Sequence, residues 1–292
     1  MTRILITGAA GFIGDALVAR LNAEQEIFAL VRKRPSKRVT AEVSWIEQDL
    51  TQSLNVAGLP DDLDVIIHLA QSRLYRQFPE MAEDIFRVNV GSTLSLLEYG
   101  RKVGVKKFIY ASSGGIYGYG SEKCSEADAA NPRDFYSTSK YCSELLIGNY
   151  KPYFEVVVFR FFFVYGPKQK GMLIPRLIEN VRKGEPIIIR GESGTRLNPI
   201  HVEDAIRAFS SALETPASGV FNIAGDEIVS IRDVSERIGA FMGKEPVFRY
   251  EKNVVPGDMI GDNSRMKADL GIVPTISLKT GISEMLQLSK KT

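Results

Sequence analysis

The sequence predicts an α/β fold, a doubly wound parallel sheet with a smaller, interleaved C-terminal lobe. Three observations point to it. Short β-prone runs alternate with helical stretches through the first half of the chain. Several of those runs, among them Val65-Ile66-Ile67 and Phe108-Ile109-Tyr110, are continuously apolar, as strands buried on both faces are. A glycine-rich segment stands directly between the first run and the first helical stretch.

In chain order, strands are expected near 3–7, 27–31, 43–47, 65–69, 107–112 and 155–163, with helices near 12–22, 80–103 and 135–150. Pro167 and Gly171 then punctuate the chain. A helix near 172–183 follows, opened by Met172 and Leu173, then strands near 186–190 and 219–223 and helices near 203–213 and 230–242. Residues 1–165 read as the first domain. Residues 166–292 read mainly as the second lobe, with a segment near 196–226 returning to the first.

At 292 residues and 44% hydrophobic, the chain can bury a core without staples. Lys and Arg number 37 against 35 Asp and Glu, and this +2 balance gives no general attraction to nucleic acid. Cys124 and Cys142 have neither the density of a disulfide scaffold nor the spacing of a zinc site, and read as reduced thiols. No basic segment, apolar core and cleavage site precede Ile4-Leu5-Ile6, so a secretory leader is not expected, and no apolar run approaches the ~18 residues of a membrane span. A cytoplasmic protein without a metal centre is expected.

Thr7-Gly8-Ala9-Ala10-Gly11-Phe12-Ile13-Gly14 has the context that gives a glycine turn meaning, after a strand and before a helix. Such a turn lets backbone amides approach a pyrophosphate at the helix N-terminus. Gly8, Ala10, Gly11, Phe12 and Ile13 are therefore assigned to a dinucleotide, and the sheet to the Rossmann type. The second strand ends in Ala29-Leu30-Val31-Arg32-Lys33-Arg34, without the carboxylate that accepts from an NAD ribose. Arg32 suits a 2′-phosphate, so NADP(H) is favoured and NAD(H) stays possible. Lys37 and Arg38 extend the same basic loop. Asp49, with Leu50 beside it, is placed at the adenine edge.

Tyr136-Ser137-Thr138-Ser139-Lys140 lies in a helical stretch, so Tyr136 and Lys140 share a face. A nearby ammonium favours the phenolate and would let Tyr136 exchange a proton during hydride transfer. Ser112 and Ser113 close the fifth strand at the ligand-binding edge of such a sheet, where a hydroxyl can hold the reacting oxygen. His68 and His201 read as packed histidines, and Arg73 and Arg76 as a solvated loop, with a substrate phosphate within their reach as the alternative. The run Phe159, Phe161, Phe162 and Phe163 reads as buried strand whose end walls a nicotinamide.

Taken together, these segments resemble the extended short-chain dehydrogenases/reductases, especially their nucleotide-sugar epimerase/dehydratase/reductase group. The resemblance runs through Thr7 to Gly14, Ile66-Ile67-His68-Leu69-Ala70, Asn89-Val90, Ala111 to Gly118, Tyr136 with Lys140, Arg160 to Pro167, Phe221 to Gly225 and Asp262 to Pro274. It implies Ser113, Tyr136 and Lys140 as catalytic residues, with Lys140 also on the nicotinamide ribose. It further implies Leu69, Ala70, Ser112, Phe162 and Val164 at the cofactor, a nucleotide-linked sugar as substrate, and a homodimer built on the helices near 80–103 and 135–150.

Two departures bear on the reaction. Gly114 and Gly115 follow Ser113 where dehydratases of the group carry acids, which disfavours dehydration. Phe163 replaces a common asparagine near the sugar diphosphate, and Arg196 stands one position ahead of the diphosphate arginine, with Leu197 in its slot. Phe163 and Arg196 are kept as substrate contacts. The expected activity is redox chemistry at a ring carbonyl or hydroxyl, at C4, by a ketoreductase or by a 4-epimerase that keeps its NAD. A reductase of non-nucleotide ketones and a non-catalytic dinucleotide sensor are the alternatives.

Overall fold

In the computed structural model, which describes residues 1–35, 43–120, 122–251, 253–254 and 257–288, the apolar runs align as a seven-stranded sheet. Lys37 and Arg38 lie outside the described residues. The strands are β1 (Arg3–Thr7), β2 (Glu26–Val31), β3 (Ser44–Glu47), β4 (Val65–His68), β5 (Lys107–Ser113), β7 (Glu155–Phe161) and β12 (Gly219–Ile223). They stand in the order β12-β7-β5-β4-β1-β2-β3, and every pairing is parallel. Chain direction across the sheet reverses between β1 and β4, which opens a crevice at the strands' carboxyl ends.

Alternation along the strands sorts side chains to two faces. Ile4, Ile6, Ile67, Ile109 and Val157 pack under α1 (Phe12–Leu21) and α6 (Val202–Glu214). Leu5, Ile66, Phe108 and Val156 pack under α3 (Ser92–Val103) and α4 (Phe135–Gly148). A separate core joins α5 (Leu173–Lys183), α7 (Ile231–Met242) and α9 (Leu278–Leu288) through Leu177, Val181, Val234, Ile238 and Ile282. No helix among the described residues is long and apolar enough to cross a membrane.

The structure departs from the sequence reading in three places. The helix expected over 80–103 is broken into α2 (Ala82–Phe86), a π-type turn over Arg87–Gly91, and α3. That extra residue turns Asn89 inward, where it accepts from Ser72 N at 2.9 Å and donates to Ser139 Oγ at 2.8 Å. The strand expected over 155–163 stops at Phe161, because Phe163 adopts φ 47°. Strand β9 (Ile187–Arg190) lies where one is expected, whereas helix α8 (Ser264–Leu270), α9, strand β14 (Phe248–Glu251) and the two-residue strands β6 (Lys123–Cys124), β8 (Val164–Tyr165), β10 (Arg196–Leu197), β11 (Ile200–His201), β13 (Val229–Ser230) and β15 (Ile260–Gly261) are additional. Two residues are too few to show a period.

Candidate active site

The glycine turn is built for close approach. Gly8 has φ 68°, and a Cβ there would come within 2.8 Å of Ala70 N. A Cβ on Gly14 would meet Gly8 O at 2.3 Å, so α1 can pack onto the turn only with glycine at that position. Gly11 caps α1 without a side-chain acceptor, leaving the opening amides to an outside anion. A cavity of about 880 Å³ runs from this turn along the carboxyl ends of the strands. Gly8, Ala10, Gly11, Phe12, Ile13, Arg32, Asp49, Leu50, Leu69, Ala70, Ser112, Ser113, Tyr136, Phe163 and Val164 all line it.

Asp134 caps α4, its carboxylate accepting from Ser137 N at 2.7 Å, and so fixes the turn that carries Tyr136. Helical spacing then stacks Tyr136, Lys140 and Glu144 on one face. Lys140 lies buried below the cavity rather than in its wall, 1% exposed. Its ammonium donates to Ala111 O at 2.8 Å and sits 6.0 Å from the centre of the Tyr136 ring. Burial pushes Lys140 down to about 7, with the Glu144 charge opposing.

In the protein alone the Tyr136 phenol is shifted up rather than down. Burial raises it, the neighbouring Tyr75 adds to the rise, and the Ser113 hydroxyl opposes it. Lys140, whose Nζ faces the Ala111 carbonyl, does not offset that burial. Tyr136 therefore stands as a protonated phenol, donating to Gln71 Oε1 at 2.9 Å.

A buried lysine whose pKa is depressed from 10.5 destabilises the fold wherever the unfolded chain holds that proton more tightly. The penalty is complete below about pH 7 and fades as pH rises toward 10.5. Lys140→Met is therefore expected to lose activity yet be more stable than wild type at pH 6, by roughly 1–3 kcal/mol. Thermal unfolding from pH 6 to 10 checks this, with the gap closing as pH rises.

Ser112 does not offer its hydroxyl to the cavity, contrary to the sequence reading, because that hydroxyl donates to Glu144. Glu144 also takes a two-pronged bond from Arg160, whose Nη2 lies 2.7 Å away and whose Nε lies 3.1 Å away. Arg160 then donates to Tyr117 Oη at 2.7 Å, and Tyr117 to Asn222 at 2.9 Å. This buried chain ties α4 to β5, β7 and β12. Ser113 remains the serine at the cavity, its Oγ accepting from Gly115 N at 3.1 Å.

The two glycines after Ser113 sit against close neighbours. A Cβ on Gly114 would meet the Phe162 ring at 2.6 Å, and one on Gly115 would meet Ser137 Oγ at 2.7 Å. A side chain there would have to displace the Phe162 ring or turn the Ser137 hydroxyl. The same contacts correct the assignment of Phe162 to the cofactor. Its ring is fully buried between Gly114 and Gly261, and Phe161 lines the cavity in its place. Arg196 is likewise diverted, bonding Asp258 through Nη2 at 2.5 Å and Nε at 2.8 Å, outside the cavity lining.

Arg73 and Arg76 are exposed, as a solvated loop would leave them, and also line the cavity, with Arg76 donating to Gly171 O at 3.0 Å across its mouth. His68 is buried between Thr7 and Thr93 and pushed down to about 3, hence neutral. His201 caps α6 and is buried. Among the described residues no group of three or more His, Cys, Asp or Glu is placed to hold a metal. Sequence reasoning missed Gln71, Tyr75, Met172 and Arg176, all in the cavity wall. Gln71 had one available signal, its place three residues past a strand's carboxyl end.

Known proteins share this architecture. The profile of the NAD dependent epimerase/dehydratase family matches residues 4–224. YtcB of Bacillus subtilis, described as an uncharacterized UDP-glucose epimerase, is 29% identical over 311 residues, covering 96% of each chain. A dTDP-4-dehydro-6-deoxy-D-allose reductase of Streptomyces bikiniensis is 30% identical, covering 96% of this chain and 94% of the reductase. The UDP-glucuronic acid 4-epimerase of Bacillus cereus, solved with UDP-glucuronic acid and NAD, superposes with a TM-score of 0.89 at 28% identity over 99% of each chain.

Proposed function

The chain belongs to the NAD dependent epimerase/dehydratase family, and on that premise we propose that it interconverts a hydroxyl and a carbonyl at C4 of a nucleotide-linked sugar. The observation that carries this reading is the shared cavity. One continuous wall holds the glycine turn, Ser113 and Tyr136, with Lys140 directly beneath. A dinucleotide bound along that turn supplies or accepts the hydride.

Tyr136 gives its proton to the substrate oxygen in reduction and takes it back in oxidation. Ser113 holds that oxygen, and Lys140 lies where its charge steadies the phenolate. Dehydration stays disfavoured, since Gly114 and Gly115 bring no acid beside Ser113. Phe163 contacts the sugar side of the cavity. Arg196 is the weakest of the substrate assignments, because Asp258 already engages it.

Arg32 lines the cavity with no carboxylate partner among the described residues, and Lys33 and Arg34 flank it. This supports a preference for NADP(H) through a 2′-phosphate. Arg32→Ala is expected to weaken NADPH binding by roughly tenfold while leaving NADH unchanged, as read by fluorescence titration. A 4-epimerase that retains NAD(H) is the second reading, favoured by the NAD held in the Bacillus cereus enzyme.

Purification without added cofactor, denaturation and identification of any released dinucleotide separate the two. Stoichiometric NAD(H) supports the epimerase, and an empty protein that prefers NADPH supports the reductase. The exposed Phe86, Leu94 and Leu145 on α2, α3 and α4 suit a homodimer, and the reading places the protein in the cytoplasm.

A further inference from the structure

We infer that Gln71 is a positioning residue for the proton on Tyr136, its amide accepting the phenolic O–H at rest and donating to the phenolic oxygen once that proton has turned toward substrate. The inference rests on the redox reading above and deepens it.

The contact itself is direct, Tyr136 Oη to Gln71 Oε1 at 2.9 Å. More telling is how firmly both ends are held. On one side of Gln71, Ala70 N donates to Thr7 Oγ1 at 3.2 Å, which ties the segment to the glycine turn. On the other, Ser72 N donates to Asn89 Oδ1 at 2.9 Å and the Ser72 hydroxyl to Asp84. Asn89 donates to Ser139 Oγ at 2.8 Å, and Ser139 Oγ donates to Tyr136 O at 2.7 Å. The chain through Ser72, Asn89 and Ser139 thus fixes the backbone of residue 71 against that of residue 136, while the Thr7 bond anchors the same segment to the glycine turn.

An amide suits this place because it carries both an acceptor and donors. While Tyr136 is a phenol whose proton points at Gln71, the carbonyl oxygen accepts it. In reduction the hydride adds to the carbonyl carbon, the π pair moves to oxygen, and the Tyr136 O–H bond breaks as the new O–H bond forms. The phenolate left behind needs donors, and the turned amide supplies an N–H. A carboxylate at this position would offer only acceptors and would hold the proton on Tyr136. An alkyl group would offer neither.

The other groups facing Tyr136 are Tyr75 from the segment after β4, Tyr110 and Ser113 from β5, Asp134 at the cap of α4, and Lys140 from α4. All stay constant when only residue 71 is changed. The test uses the whole chain saturated with NADPH or NADH. Tyrosinate absorbance is titrated in wild type, Gln71→Leu and Gln71→Glu, each against its own partner carrying Tyr136→Phe, so that the difference isolates Tyr136.

Gln71 is exposed at the cavity wall, so both variants should keep the wild-type melting temperature. The expected order of midpoints is wild type lowest, Leu higher, Glu highest, with Glu about one pH unit or more above wild type. The acid limb of the turnover profile for hydroxyl oxidation should move the same way. Coincident midpoints, or Glu titrating below Leu, would overturn the inference. An intact order with no turnover on any nucleotide sugar would sustain Gln71's role and sink the substrate reading instead.

Discussion

Tyr136→Phe is expected to reduce turnover by roughly 10²–10⁴-fold while leaving dinucleotide affinity close to wild type. The change removes one oxygen, and with it the phenolic proton that α4 presents at the cavity wall. The ring stays packed on Tyr75 at 4.8 Å between centroids, so folding should be preserved. Steady-state rates with a nucleotide sugar, beside cofactor titrations, check both halves of this expectation. A variant with near wild-type turnover would remove Tyr136 from the chemistry.

Glu144→Ala is expected to lower folding stability by about 3–5 kcal/mol, the largest structural effect among the residues around the site. Arg160, 6% exposed, would be left buried without its carboxylate, and the Ser112 hydroxyl would lose its acceptor. Glu144→Gln keeps the shape and one acceptor, so its loss should be smaller. Denaturant unfolding ranks the three proteins. The damage should also reach Ser113, since Ser112 anchors the strand end from which Ser113 projects.

Much of the fold was legible because it rests on periodicity and punctuation. Continuous apolar runs marked β4, β5 and β7, and the glycine turn marked where β1 hands over to α1. The π-type turn at Arg87–Gly91 was not legible, since one extra residue in a helix leaves the composition unchanged and is stabilised by distant partners, Ser72 and Ser139. Phe162 was misplaced for a similar reason. A strand period runs on through Phe161, Phe162 and Phe163, and only the left-handed backbone at Phe163 decides which ring faces the core.

At the site, residues with a chemical signature were found from sequence and residues with a positional role were not. Ser113, Tyr136 and the glycines carry their chemistry in their identity. Gln71 acquires its role only from the loop that brings it to Tyr136, and Arg76 from the same loop reaching Gly171. Arg196 failed in the opposite sense, because Asp258, sixty-two residues away in sequence, claims its guanidinium. Local spacing holds no record of that competition.

The central claim is that Tyr136 drives redox exchange between a nucleotide-linked sugar and a dinucleotide in one cavity. Its most direct test mixes the NAD⁺- or NADP⁺-loaded protein with UDP- and dTDP-linked sugars and follows reduced nicotinamide by absorbance. The account predicts that at least one nucleotide sugar reduces the cofactor in wild type, and that Tyr136→Phe abolishes the signal. Reduction at equal rates in both proteins, or none with any nucleotide sugar, would contradict it.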